Sequence, residues 1–287
     1  MPDRAGRVFA KLEMANPTGS MKDRMARAVI EAAEQRNQLA PGGTVVDYTG
    51  GTTGISLAFV CAAKGYKAEI VFSDAFSQEK ASTMKAFGAH VTIIASEKKG
   101  ITENTIKQMI EKARAISQRP GHWWSDQLNN RDAIGGYHAL GEEIWKQTNG
   151  NIDAFVHAVG TAHSLHGTME ALSAHKRDIH VVAVEPDESA VLSGRAPGSH
   201  NIDGIGIGFV PPLWEAGMAD EIVTVSTQEA RLMAQRLARE EGIFAGTSSG
   251  ANVVAALRIA EQLGSKATVT TLIVDAGARY LSADLFR

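Results

Sequence analysis

Thr44-Val45-Val46-Asp47-Tyr48-Thr49-Gly50-Gly51-Thr52-Thr53-Gly54-Ile55-Ser56-Leu57-Ala58-Phe59-Val60-Cys61 passes from a strand through a glycine and threonine loop straight into an apolar helix. A strand that feeds a helix in this way is half of a βαβ unit. Outward from this stretch, apolar runs of period 2 alternate with runs of period 3.6 from end to end. Strands are expected at 7–12, 68–72, 90–94, 154–159, 180–185, 221–226 and 268–274 besides 44–48. Helices are expected at 20–36, 54–63, 78–87, 103–119, 133–146, 227–241 and 250–263. The alternation predicts an α/β fold of mostly parallel, open twisted sheets flanked by helices. The polar turn Thr148-Asn149-Gly150-Asn151 is the expected seam, between an N-terminal domain 1–147 and a C-terminal domain 148–287.

The chain has 287 residues, 44% hydrophobic and 21% charged, which suits two ordinary enzyme-sized domains. Lysine and arginine number 29 against 32 acidic residues, a formal charge of −3. No cluster of basic residues predicts a nucleic-acid partner. No apolar run is long enough for a membrane span, and Met1-Pro2-Asp3-Arg4-Ala5-Gly6-Arg7 lacks the apolar stretch of a secretory signal. The expected address is therefore cytoplasmic. Cys61 is the single cysteine and reads as a small core residue of the helix after the first loop.

Glycine, at 28 residues, exceeds its usual share of about 7%, and much of the excess gathers in three junctions that read as strand-to-helix turns. These are Thr49–Gly54, Gly160-Thr161-Ala162-His163-Ser164-Leu165-His166-Gly167, and Gly246-Thr247-Ser248-Ser249-Gly250. Glycine lets backbone approach a ligand, and the first N–H groups of a helix favour an anion. Any one junction reads as a tight turn with a hydroxyl cap; three together point to a phosphorylated ligand. Nucleotide signatures do not fit, because Gly204-Ile205-Gly206-Ile207-Gly208 leads to Pro211-Pro212 instead of a helix. That segment reads either as a bent strand or as backbone laid against a flat ring.

Asn16-Pro17-Thr18-Gly19-Ser20-Met21-Lys22-Asp23-Arg24 opens the first long helix, with Ser20 as expected N-cap and Asp23 as its capping-box partner. Met21, Met25, Ala28, Val29 and Ala32 form the expected buried stripe, with Lys22 beside it in the first turn. There the helix dipole disfavours a cation, which with partial burial would make the amine a better nucleophile. By position alone, Lys22 reads as a snorkelling surface lysine.

The wording around Lys22 resembles the lysine segment of the cysteine synthase (O-acetylserine sulfhydrylase) and cystathionine β-synthase family, the fold-type II or tryptophan synthase β-like group of pyridoxal phosphate enzymes. The similarity spans nearly the whole chain. It implies that Lys22 holds pyridoxal 5'-phosphate as a Schiff base, and that Gly160, Thr161, Ala162 and Ser164 hold its phosphate. It further implies that Ser248 meets the pyridine nitrogen. Asp126-Gln127-Leu128-Asn129 resembles the stretch whose glutamine helps hold the substrate carboxylate, and Asp275-Ala276-Gly277-Ala278-Arg279-Tyr280-Leu281-Ser282 resembles the closing motif. Thr49, Gly50, Thr52, Thr53 and Gln127 are thus the expected substrate grip, with Thr52 also at the cofactor.

Two departures stand out. The family's Thr-Ser-Gly-Asn-Thr-Gly loop reads Thr49-Gly50-Gly51-Thr52-Thr53-Gly54, losing a serine and an asparagine. Its Gly-Thr-Gly-Gly-Thr loop reads Gly160-Thr161-Ala162-His163-Ser164. His163 and His166 read as lining residues, and no metal site is expected of them with His157. The family also places a Gly-Asn-Thr-Pro-Leu-like strand before the equivalent of Val8-Phe9-Ala10-Lys11, so a sheet edge is expected to lack its first strand.

The resemblance implies β-replacement on an activated serine such as O-acetylserine. An aminoacrylate intermediate would take up sulfide or another thiol to form cysteine or a related amino acid. A neutral serine at the ring nitrogen makes the ring a milder electron sink, which suits β-elimination chemistry better than transamination. Serine or threonine dehydration, other β-elimination, and a cofactor-holding regulatory relative are the alternatives. A homodimer is implied by the resemblance alone.

Overall fold

Val45 and Val46 are fully buried, and their strand is covered on both faces, as a parallel strand must be when crossover helices line both sides of its sheet. A computed structural model describes residues 5–96, 103–281 and 285–286. In chain order the strands are β1 (Arg7–Leu12), β2 (Thr44–Tyr48), β3 (Lys67–Ser73), β4 (His90–Ile94), β5 (His122–Trp124), β6 (Ala154–Ala158), β7 (His180–Pro186), β8 (Glu221–Val225) and β9 (Thr268–Ile273). The helices are α1 (Lys22–Gln35), α2 (Thr52–Lys64), α3 (Gln78–Ala86), α4 (Glu103–Ser117), α5 (Asp132–Gly135), α6 (His138–Gln147), α7 (His163–His175), α8 (Thr227–Glu240) and α9 (Thr247–Leu263).

Two units form. One contains described residues 16–96, 103–136 and 279–281; the other contains 5–15, 137–278 and 285–286. They are not the contiguous halves 1–147 and 148–287. Strand β1 pairs in parallel with β9, which draws the start of the chain into the later unit, while Arg279 returns to the earlier one. The division near residue 136 falls inside the helix expected at 133–146. Gly135 and Gly136, poor helix formers, break that helix into α5 and α6.

In the earlier unit the sheet order is β4-β3-β2-β5, with every pair parallel. The chain after β2 runs towards β3, whereas β5 lies on its other side, so the topological switch falls between β2 and β5. Ligands of open α/β sheets bind outside the strand carboxyl ends at such a point. The loops that leave there are Thr49–Gly51 after β2 and Ser125–Gln127 after β5. Sequence patterning missed β5, whose half-buried His122-Trp123-Trp124 is too short for a clear period.

In the later unit the order is β1-β9-β6-β7-β8, again all parallel. Its switch lies between β6 and β9, where Val159–Ala162 and Val274–Ala276 emerge. Ala251, Ala255, Ala256, Ile259 and Ala260 bring α9 against Val156, Val182 and Val269 of the sheet. The alanine-rich face allows this close approach; α9 is packed flat on β6 and β9, and its first turn lies next to the loop leaving β9, with the Gly246 N–H bonded to the Asp275 carbonyl.

Candidate active site

The loop at the β2 end is held by one hydroxyl. Thr49 Oγ1 accepts the backbone N–H groups of Gly51 at 2.9 Å and Gly54 at 3.1 Å, so the start of α2 is tied to the strand end. Acceptance of two N–H groups leaves the Thr49 hydroxyl proton as its free contribution. Thr52 is half-buried and Thr53 buried in the first turn of α2. A β-carbon at Gly50 would stand 3.1 Å from the Phe76 ring, so Phe76 fills the room that a longer residue would need there.

The neighbouring loop is fixed by a buried carboxylate that the sequence reading passed over. Asp47 Oδ2 accepts Ser125 Oγ at 2.5 Å and the Gln127 N–H at 3.3 Å, while Oδ1 accepts the Tyr48 N–H at 2.8 Å. Burial is the main cause that pushes the Asp47 carboxyl up to about 7. Gln127 Nε2 donates to the Tyr48 carbonyl at 2.5 Å, leaving its other amide proton and its oxygen for a ligand. A polar residue in the buried run Val45-Val46-Asp47-Tyr48 was the available signal for this network.

Lys22 is the first residue of α1, half-buried. The expected capping box is not formed. Ser20 Oγ accepts the Lys22 N–H at 3.2 Å, and the Asp23 carboxylate instead receives the Thr18 N–H at 2.8 Å, the Thr18 hydroxyl at 2.6 Å and the Ser56 hydroxyl at 2.6 Å. The Arg279 guanidinium donates to the Thr18 carbonyl and, at 3.1 Å, to Thr18 Oγ1. The segment ahead of Lys22 is thereby anchored to both α2 and the returning chain. Met21, Met25 and Val29 are buried as expected, but Ala26, Ile30 and Ala33 complete the stripe while Ala28 and Ala32 are half-buried. Ser282 and Met1 lie outside the described residues.

In the later unit, Gly160-Thr161-Ala162 links β6 to α7. A β-carbon on Gly160 would collide with the Gly204 carbonyl oxygen, so only glycine fits. Ala162 adopts φ 69°, a left-handed conformation, directly before the first N–H groups of α7. Those N–H groups form a donor set suited to an anion, and beside them the Ser164 Oγ lies 2.7 Å from His157 Nε2. His163 Nδ1 pairs with Thr161 Oγ1 at 2.9 Å, and His166 Nε2 lies 3.2 Å from Glu170. His157 faces Ser164 and Asn252, in keeping with structural roles for these imidazoles.

Gly246–Gly250 is not a strand-to-helix turn. It follows α8 and a coil in which Ala245 is bridged to Ala276, and α9 starts at Thr247, ahead of the expected Gly250. Thr247 Oγ1 accepts the Asp203 N–H at 3.1 Å and Ser249 Oγ the Val274 N–H at 2.9 Å. Ser248, between them and buried, makes neither contact. The segment Gly204–Gly208 is a loop, not a bent strand: all three glycines have positive φ, and His200 Nε2 lies 2.7 Å from the Gly206 carbonyl. Glu185 closes β7 by accepting the Leu192 N–H at 2.8 Å and the Ser193 N–H and hydroxyl at 2.9 and 2.6 Å, a structural tie. Cys61 is buried, and burial pushes its thiol up to about 12.

Two all-parallel α/β units, each with an anion-ready helix start at its topological switch, define a class of enzyme that handles small anionic ligands. Residues 2–275 match the family described as pyridoxal-phosphate dependent enzyme, and the chain belongs to that family. Pyridoxal 5'-phosphate is accordingly its cofactor, and the donor set at Gly160–Ser164 fits a phosphate. A cysteine synthase of Staphylococcus aureus is 42% identical over 287 residues, covering 99% of this chain and 90% of that protein. The crystal structure of cysteine synthase (OASS) from Entamoeba histolytica is similar with a TM-score of 0.92 and 36% identity, covering 99% of this chain and 84% of that one. The O-acetylserine dependent cystathionine β-synthase of Helicobacter pylori has a TM-score of 0.91 at 33% identity, covering 98% of this chain and 90% of that one. These likenesses place the chain in the fold-type II group.

Proposed function

We propose that the chain catalyses β-replacement on an activated serine such as O-acetylserine, with sulfide or another thiol as the incoming nucleophile and cysteine or a related amino acid as product. The observation that carries this reading is the 42% identity to a cysteine synthase over 99% of the chain. When bound, pyridoxal phosphate withdraws electrons from the substrate α-carbon, which acidifies the α-proton and lets a β-substituent leave.

The residues divide the work between binding and proton transfer. Lys22 holds the cofactor covalently, and its released amine takes the α-proton. Thr49, Gly50, Thr52, Thr53 and Gln127 grip the substrate carboxylate through hydroxyl, amide and helix N-terminal N–H donors, with Thr52 reaching the cofactor as well. Gly160, Thr161, Ala162 and Ser164 bind the phosphate. The Ser248 hydroxyl meets the ring nitrogen and leaves it without a carboxylate to hold a proton there.

A homodimer in the cytoplasm completes the reading. The homodimer is supported by Phe9 and Leu12, exposed apolar residues on edge strand β1. The test of function is acetate release from O-acetylserine with and without sulfide. Acetate matched by cysteine when sulfide is present is the expected result. Acetate matched by pyruvate in both conditions would assign elimination instead, and no acetate in either would overturn the reading.

A further inference from the structure

Behind Ser164 stands a chain of buried polar side chains that the roles above leave unused. Asn252, fully buried in α9, has an amide whose orientation is dictated by partners with fixed polarity. The Ala158 N–H can only donate, and it reaches Asn252 Oδ1 at 2.7 Å; the Leu272 carbonyl can only accept, and it lies 2.8 Å from Nδ2. Turning the amide over would set donor against donor and acceptor against acceptor. The second proton on Nδ2 meets His157 Nδ1 at 3.3 Å.

An imidazole nitrogen that receives an N–H is an acceptor, so the proton of the neutral ring sits on Nε2. Nε2 lies 2.7 Å from Ser164 Oγ, and with this tautomer His157 donates and the serine oxygen accepts. The opposite tautomer would draw the serine proton towards the ring. Near a helix start a serine proton also has local backbone acceptors to turn to. With His157 donating, the hydroxyl is fixed in place and its proton remains for a ligand.

We propose that Asn252 and His157 are positioning residues that preset Ser164 as a hydrogen-bond donor to the cofactor phosphate. The inference rests on the reading of Gly160–Ser164 as the phosphate loop, where the first N–H groups of α7 already supply donors. A neutral imidazole suits the task because it orders the hydroxyl without burying a charge.

The tautomer is read directly from two-bond proton–nitrogen NMR correlations of the folded protein labelled with 15N-histidine, with His157→Gln assigning the signal. A ring protonated at Nε2 is expected; one protonated at Nδ1 overturns the inference. The functional arm compares dissociation constants of pyridoxal phosphate and of pyridoxal, which lacks the phosphate, on cofactor-stripped protein. Ser164→Ala and His157→Leu should each weaken pyridoxal phosphate binding about tenfold to a hundredfold. The double variant should bind no worse than Ser164→Ala alone, and His157→Gln, which keeps a side-chain N–H, should recover most of the loss. Pyridoxal affinity should stay unchanged throughout. Multiplicative losses in the double variant, or a normal Kd for His157→Leu beside a weakened Ser164→Ala, would overturn the role of His157. Ser164→Ala that binds pyridoxal phosphate like the parent protein would overturn the phosphate-loop reading itself.

Discussion

Asp47 Oδ2 and Ser125 Oγ lie 2.5 Å apart inside the earlier unit, joining the carboxyl end of β2 to the turn that carries Gln127. The pair lets two loops at the topological switch share one buried anchor. The same carboxylate also receives the N–H of Gln127, so the position of the proposed substrate-binding amide depends on Asp47.

The first prediction concerns pH. Asp47 titrates near 7 in the folded chain against an ordinary value of 3.8, chiefly because burial penalises its charged form. A folded value above the unfolded one means that the native state holds the extra proton between the two values. The stability this group contributes is therefore present below about pH 4 and is lost as pH rises towards 7. At about 1.4 kcal/mol per pH step, the loss approaches about 4 kcal/mol at most. Denaturant unfolding from pH 4 to 8 should show a fall in stability that is flatter in Asp47→Asn; parallel curves for the two proteins would refute it.

Ala162 supplies the second. Its left-handed backbone at φ 69° is tolerable for alanine and punishing for a β-branched residue. Ala162→Gly relieves the backbone but gives up a buried methyl group, so its stability should stay within about 1 kcal/mol of the parent. Ala162→Val should lose about 2 to 4 kcal/mol by the same unfolding measurement. Equal effects of the two substitutions would show that the loop conformation is not set by this residue.

The βαβ alternation, eight of the nine strands among the described residues, and the glycine loops after β2 and β6 were legible in the sequence because each rests on local periodicity or on a local backbone need. What escaped was relational. Whether 1–15 joins the later unit depends on β1 pairing with β9 across more than 250 residues, and no local pattern carries that information. Asp23 was legible as a cap by spacing alone, yet Ser56 and Thr18 compete for its carboxylate, and they prevail. His157 and Asn252 are 95 positions apart and acquire meaning only when β6 and α9 pack together. Lys22 was singled out by the wording around it, whereas its position in a first turn was that of a surface lysine.

Ser248 carries a third prediction. The helix dipole favours a carboxylate at the start of α9, but Ser248 is buried and desolvation opposes the charge, so Ser248→Asp should lower Tm, and its turnover is compared on folded, cofactor-loaded protein. Opposite the ring nitrogen it would promote protonation and change the electron demand of the cofactor. Turnover of O-acetylserine should fall at least about tenfold, a change of about 1.4 kcal/mol in the barrier. Unchanged turnover on that folded, loaded protein would remove Ser248 from the ring nitrogen.

Lys22 is proposed to hold pyridoxal phosphate covalently. Borohydride reduction of the cofactor-loaded protein, followed by proteolysis and mass spectrometry, tests it in one measurement. A pyridoxyl label is expected on the peptide containing Ser20-Met21-Lys22 and none on that peptide in Lys22→Ala. A label on another lysine, or no label on protein that has bound the cofactor, would contradict it.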